Sequence, residues 1–254
     1  MKVSIVTVCY NSEKTIGDTL RSIQTQTYSD IEYIVIDGLS KDTTNNIVKN
    51  FNDIVSVHIS EKDSGLYDAM NKGISLASGD IIGILNSDDF YPHSGVIADV
   101  VAEFLKNKDV DLVLGDVDFV RAEDLTKPVR FYSSYDFSPW TMRFGFMPAH
   151  PGAFIKKTAY DKVGDYKLGY EICSDFDIFV RMLVVAKLPY VKLKKNLVRM
   201  RVGGVSTSGI KSYAITTNEI LRSLKENQIY SNILMVLMRL PVKFFINLLN
   251  RFRS

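Results

Sequence analysis

Two hydrophobic periods alternate along the first hundred residues. Short β-branched apolar runs at 2–9, 32–37 (EYIVID), 54–60 and 80–85 predict strands. Between them apolar positions recur at helical spacing. Ile16, Leu20 and Ile23 predict a helix over 13–26, a second helix runs to Phe51 with Ser40 or Asp42 as its N-cap, and a third covers 66–77. Strands alternating with helices of this length predict βαβ units and a mostly parallel sheet, an α/β fold. Further strands are expected at 111–120, 128–133 and 191–201. The helix opening near Glu171 has Ile172, Phe176, Phe179, Val180 and Leu183 on its buried face. The C-terminal stretch 231–254 reads as helical. One apolar row holds Ile233, Leu237, Leu240, Phe244, Leu248 and Phe252, and Pro241 divides the stretch into two short helices.

Composition narrows the class of protein. A chain of 254 residues, 46% hydrophobic and 24% charged, makes one large globular domain, or a domain with an appendage. The formal net charge is +2. Four basic residues and no acid fall between Ser231 and Ser254, so the rest of the chain is weakly acidic, which argues against nucleic acid as a partner. Cys9 and Cys173 form no disulfide framework and no metal-ligand spacing, consistent with a reduced, cytoplasmic compartment. The apolar run at 3–8 is too short for a signal-peptide core, and no charge-free apolar run reaches the length of a membrane span.

The chemistry concentrates where strands end. The apolar run at 81–85 stops abruptly in Asn86, Ser87, Asp88 and Asp89, and in open α/β sheets ligands bind beyond the carboxyl ends of the strands. Asp37 closes the second strand and Asp63 follows the third. A single aspartate would serve as N-cap of the helix beginning near His93, but a doublet there also makes a focused negative site for a divalent cation. Neither a Gly-x-Gly-x-x-Gly turn nor a P-loop follows any strand, which sets aside the usual dinucleotide and P-loop sites. Ionised carboxylates accept hydrogen bonds from ribose hydroxyls and base N–H groups and bind metal, but repel bare phosphate. A nucleoside diphosphate bridged by a cation satisfies all three conditions.

Four segments in order, SIVTVCYN at 4–11, DGLSKDT at 37–43, DSGLYDAMNKG at 63–73 and NSDD at 86–89, resemble the successive motifs of family 2 glycosyltransferases. The match covers roughly residues 3–181. The resemblance implies a GT-A fold, inversion at the anomeric carbon, a nucleotide-sugar donor (a UDP-sugar, with GDP- or dTDP-sugars as alternatives) and a Mn2+ or Mg2+ ion. It places Thr7, Cys9, Tyr10, Asn11, Asp37, Asp63, Asp68, Asn71, Lys72, Asn86, Ser87 and Asp88 in the donor pocket, and Asp89 on the metal. Family members often carry a first carboxylate where Asn86 stands. Asp68 has an alternative role as a helix-surface partner of Lys72.

Beyond these motifs the signal is thinner. Asp116 and Asp118 read as solvated strand residues. Trp140 lies in an aromatic- and Met-rich stretch and is either ordinary packing or a platform for a sugar. His150 sits between Pro148 and Pro151 on a rigid loop, a candidate for contact with the diphosphate or the acceptor. Ser174 and Asp177 fit a capping box, and Asp177 is spaced to pair with Arg181. Asp175 has no such structural role, and by the resemblance it is the general base. Arg199 and Arg201 are candidates for neutralising the departing diphosphate, and the loop at 202–209 resembles those that close over the donor.

The expected organisation is a transferase domain over 1–208, with a donor half to about 115 and an acceptor half after it, then a helical segment at 209–254. That basic, aromatic-bearing segment either lies on an anionic membrane surface, which suits a polyprenyl-linked glycan acceptor, or packs on its own domain or a dimer partner. A nucleotide-binding scaffold without turnover is the alternative from a different class.

Overall fold

The structure, a computed structural model, describes residues 1–203 and 210–242. Eight strands form one sheet: β1 (Val3–Cys9), β2 (Ile31–Asp37), β3 (Val55–Ser60), β4 (Ile81–Ile84), β5 (Leu112–Arg121), β6 (Asp124–Tyr132), β7 (Ala153–Lys156) and β8 (Tyr190–Arg201). Their order is β3-β2-β1-β4-β7-β5-β6, with β8 also paired to β5. The helices are α1 (Ile16–Gln24), α2 (Thr44–Lys49), α3 (Leu66–Leu76), α4 (Val96–Lys106), α5 (Lys157–Val163), α6 (Ser174–Phe179), α7 (Ile210–Glu226) and α8 (Ile233–Leu237). A wider, π-helical turn, Val180–Val185, continues α6, and a short 3-10 segment spans Pro139–Phe144.

Alternation along each strand builds a core on both faces of the sheet. Val6, Val8, Ile34, Ile36, Ile82 and Ile84 face one way and pack on Tyr67, Met70 and Ile74 of α3. Val3, Ile5, Tyr33, Val35 and Ile81 face the other way and meet Ile16, Leu20 and Ile23 of α1 and the apolar face of α4. Each such side chain, when fully buried, contributes roughly 1.5–3 kcal/mol. β1 to β4 are mutually parallel, so the chain leaves all four at the same edge.

Antiparallel β7 sits between β4 and β5, and the sequence pattern had placed no strand there. Four residues, AFIK, are too short to show a period, and pairing on both sides is what makes the segment a strand. Two expected caps do not form. α4 is preceded by Gly95, and neither Asp88 nor Asp89 caps it. At α2, which starts at Thr44, the expected Asp42 does take a first-turn donor, accepting the Thr44 N–H and hydroxyl. Ser174 lies inside α6 and donates to the Lys167 carbonyl, so the capping box is absent, whereas the Asp177–Arg181 pair is present.

Asp116 and Asp118 are each 3% exposed, not solvated. Asp116 accepts from the Ser134 N–H, and Asp118 from Asn196 and Arg199, because β8 lies beside β5 and brings donors to them. Ile220, Leu224 and Val236 join the main core, so α7 and α8 pack on their own domain. The remainder of the expected C-terminal apolar row, from Phe244 on, and the loop residues 204–209 lie outside the described residues.

Candidate functional site

The site forms at the carboxyl edge of the parallel strands, where three loops are stitched together. Asn11, in the left-handed region at φ 50°, donates its N–H to Ser40 Oγ and accepts the Lys41 N–H at Oδ1. Ser12 N–H binds Thr44 Oγ1, and its hydroxyl meets that of Ser87 at 2.8 Å. The loops after β1, β2 and β4 therefore hold one shape between them. Tyr10 stands above, 59% exposed, with its ring beside Gly38. A Cβ on Gly38 would lie 2.5 Å from Asp63 Oδ2, so the glycine lets that carboxylate close down on the floor of the loop.

Asp37 is fully buried and accepts hydrogen bonds from Ser40, Ser60 and Asn45. Burial alone would raise its pKa, but these donors outweigh burial and hold it below the usual carboxylate range. It is an anion locked in place, and it organises the loop beneath the pocket. Cys9 is buried against it, its thiol pushed up by desolvation and by Asp37, so it stays neutral. Thr7 is also fully buried and takes the Tyr33 hydroxyl proton in the core, so it does not line the pocket.

The carboxylate doublet has the opposite electrostatics. Asp89 is 1% exposed, and burial, then the neighbouring Asp88 charge, raise its pKa well above the usual range. Asp88 is half-buried and raised by desolvation, which the Arg201 charge only partly offsets. Asn86 Nδ2 donates to Asp89 Oδ2 at 3.2 Å, while Asn86 Oδ1 is buried with no partner. Two strained carboxylates and an orphaned amide oxygen are an oxygen-rich set that suits a hard divalent cation. Among the described residues no group of three His, Cys, Asp or Glu stands together as a metal site, so a cation held by Asp89 would also need Asn86 Oδ1 and oxygens from outside the protein. The loop is held rigidly. Phe90 and Arg199 exchange backbone hydrogen bonds, and Arg201 reaches the Asp88 carbonyl and the Asp18 carboxylate.

α3 begins at the same edge. Asp68 accepts the Ser64 N–H and pairs loosely with Lys72, which binds Glu61 at 2.8 Å; this is the helix-surface alternative. Asn71 clamps the Tyr166 backbone through both its Nδ2 and its Oδ1. Asn71 and Lys72 thus hold α3 to its neighbours, and the pocket loses them as contacts. Tyr67, in the first turn of α3, donates to the Ile172 carbonyl and lies 3.5 Å from Asp175 Oδ1, which brings Asp175 to the edge where Asp37, Asp63 and Asp88 stand. Asp175 is half-buried, and its pKa is raised to about 6, chiefly by desolvation, against the lowering effect of the Phe176 N–H and Tyr67.

His150 is placed differently from the sequence expectation. It is 8% exposed, with Nε2 at 2.6 Å from the Tyr166 hydroxyl and its ring against Phe179. Burial lowers its pKa to about 4, so it is a neutral core residue, unable to offer a charge to a diphosphate. Arg199 is bound in a fork by Asp118, and Arg201 by Asp18, so both already have counter-charges. Trp140 is 62% exposed and meets Phe144 in a tilted contact, with ring centroids 5.1 Å apart. Sequence reasoning missed Glu219 of α7, whose carboxylate binds the N–H groups of Glu171, Ile172 and Cys173, the loop that presents Asp175. No local pattern signals it, because its partners are backbone atoms 46 to 48 residues away.

The Glycosyl transferase family 2 model matches residues 4–164. A PGL/p-HBAD biosynthesis glycosyltransferase of Mycobacterium bovis (strain BCG / Pasteur 1173P2) is 30% identical over 182 residues, 70% of this chain and 68% of its own length. Staphylococcus aureus TarS 1-349, solved with UDP-GlcNAc, superposes with a TM-score of 0.68 at 18% identity, over 88% of this chain and 66% of that one. Mannosyltransferase PcManGT of Pyrobaculum calidifontis, solved with GDP-Man and Mn2+, gives 0.63 at 15% identity, over 96% and 72%. At these identities the two structures speak to the fold.

Proposed function

This chain belongs to the family 2 glycosyltransferases of GT-A fold, enzymes of glycan biosynthesis, and from that premise we propose that it moves a sugar from a UDP-sugar to an acceptor hydroxyl with inversion. The observation that carries the reading is the Asn86–Asp88–Asp89 corner: buried like charges beside an unpartnered oxygen, at the edge where Asp175 also stands. A divalent ion held there by Asp89, with Asn86 Oδ1 and Asp88 nearby, supplies positive charge to the donor's diphosphate. Tyr10, Asp63 and the loop fixed by Asp37 form the wall for base and ribose. Asp175, poised near pH 6, takes the proton of the attacking hydroxyl, and a single displacement inverts the anomeric carbon.

The acceptor side is the face of Trp140 and α8, where Leu234 is 73% and Ile233 52% exposed. Exposed apolar residues on this basic C-terminal segment support a glycan acceptor linked to a lipid and docking at a membrane surface. Among the described residues no helix is long and apolar enough to cross a membrane. GDP remains the second reading for the nucleotide, on the fold shared with the GDP-Man-bound mannosyltransferase.

Thermal midpoints with UDP, GDP and dTDP, each with and without Mn2+, test the reading. UDP with Mn2+ raises the midpoint of the native chain, and Asp89→Ala abolishes that rise. A larger shift with GDP transfers the assignment to GDP-sugars, and no shift with any nucleotide sinks the donor site.

A further inference from the structure

Five arginines of the described chain are held by carboxylates: Arg21, Arg181, Arg199, Arg201 and Arg222. Arg239 is the exception that is also buried. It is 3% exposed, and among the described residues no Asp or Glu pairs with it. Its Nη2 donates to Thr217 Oγ1 at 2.9 Å, and its Nε is buried with no partner. A guanidinium cannot shed its proton to escape burial, so an unpaired one is costly until an anion meets it. Its planar fork binds a phosphoryl or a carboxylate group through two parallel hydrogen bonds.

The surroundings place this guanidinium behind the candidate base. Gly145, in the left-handed region at φ 77°, leaves room for the arginine stem, since a Cβ there would lie 3.3 Å from Arg239 Cδ. Thr217 sits on α7 next to Thr216, whose carbonyl meets the Cys173 thiol, and two residues before Glu219, which holds the backbone of 171–173. Thr217 donates its own proton to the Tyr213 carbonyl, so its oxygen is oriented to accept from the guanidinium, and the buried Nε keeps an unused donor. Tyr213, whose carbonyl takes the Thr217 proton, is 47% exposed. Arg130 lies 3.6 Å over the Phe119 ring, and its Nε too is buried without a partner.

We propose that Arg239, oriented by Thr217, binds a phosphoryl group carried by the acceptor and so positions the acceptor hydroxyl against Asp175. The proposal rests on the reading of Asp175 as the base. It makes the acceptor a phosphorylated molecule, with its anionic group separate from the metal-bound diphosphate at Asp89. The same oxyanion chemistry is present in the donor, so the test must separate the two sources.

With isotope-labelled arginine in the full chain, the Nε–Hε resonances are followed while inorganic phosphate, or separately UDP with Mg2+, is added. Phosphate is expected to move one resonance that is absent from Arg239→Lys. By calorimetry, Arg239→Met is expected to bind phosphate about tenfold more weakly while its affinity for UDP with Mg2+ is unchanged. A resonance unmoved by phosphate, or undiminished phosphate affinity in both variants, overturns the proposal. Movement with UDP and Mg2+ but not with phosphate assigns the guanidinium to the donor's diphosphate and also overturns it. Asp89→Ala separates this test from that of the donor site. It removes the UDP response and leaves the phosphate response, so a failure of one assignment is not mistaken for a failure of the other.

Discussion

At the scale of single residues the same side chain, aspartate, does three different jobs according to what surrounds it. Asp37 is buried and surrounded by donors, so it stays ionised and structural. Asp89 is buried beside another carboxylate and an amide, so it is left short of positive charge. Asp175 lies between these, with a pKa raised to about 6 by desolvation. With its carboxylate form as the proposed base, transfer is expected to rise with pH through about 6. Asp175→Asn should lower kcat by roughly 100- to 10,000-fold while leaving the affinity for UDP with metal intact. Normal transfer by that variant would remove the assignment. Stability carries an independent sign. A carboxyl whose folded pKa is raised contributes stability below its unfolded pKa, and that contribution is lost as pH rises through the folded value. Thermal midpoints of the parent should therefore fall relative to Asp175→Asn between about pH 4 and pH 6, and the gap should stay constant above that.

Elements show which parts of the site could be read in advance. The ends of β1, β2 and β4 were legible because a β-branched run that stops in Asp or Asn marks both a strand and its edge. Local periodicity also located α3. The roles of its polar residues were not legible. Asn71 and Lys72 face a loop and a strand end that come from elsewhere in the chain, so sequence spacing could not separate clamp from ligand. His150 misled for the same reason, since its prolines announce a rigid loop but not that Tyr166 and Phe179 will close over it. How tightly α3 lies on the sheet is set by Gly73, where a Cβ would meet Val6 Cγ1 at 2.2 Å. Gly73→Ala should cost about 1–3 kcal/mol through overpacking, and Val6→Ala on top of it should recover part of that. Chemical denaturation of the two single variants and the double variant measures the coupling.

Across the whole molecule, the acceptor side depends on a polar hub that no motif announces. Asp177 is fully buried and gathers Arg181 at 2.8 Å, Lys167 at 3.1 Å, and Ser223 and Asn227 of the C-terminal part of the chain. It ties α6, which carries Asp175, to α7, which carries Glu219. Asp177→Ala should cost about 1–3 kcal/mol because it leaves the buried Ser223 hydroxyl and the Asn227 amide without their acceptor, and a urea midpoint within error of the parent would refute the hub. The C-terminal helices were expected as a segment separate in character. Ile220, Leu224 and Val236 in the main core make the described part of them a wall of the domain.

The position of β7 has a consequence for how such a chain comes off the ribosome. The donor-side strands are complete by residue 84, but their edge neighbour is supplied only by residues 153–156, and β5 joins the sheet through that strand. Until those residues emerge, β4 presents an unpaired apolar edge, the kind that seeds association with other chains. Residues 1–84 are therefore expected to aggregate when cut out and expressed alone, because the edge of β4 is sealed by β7 from later in the chain.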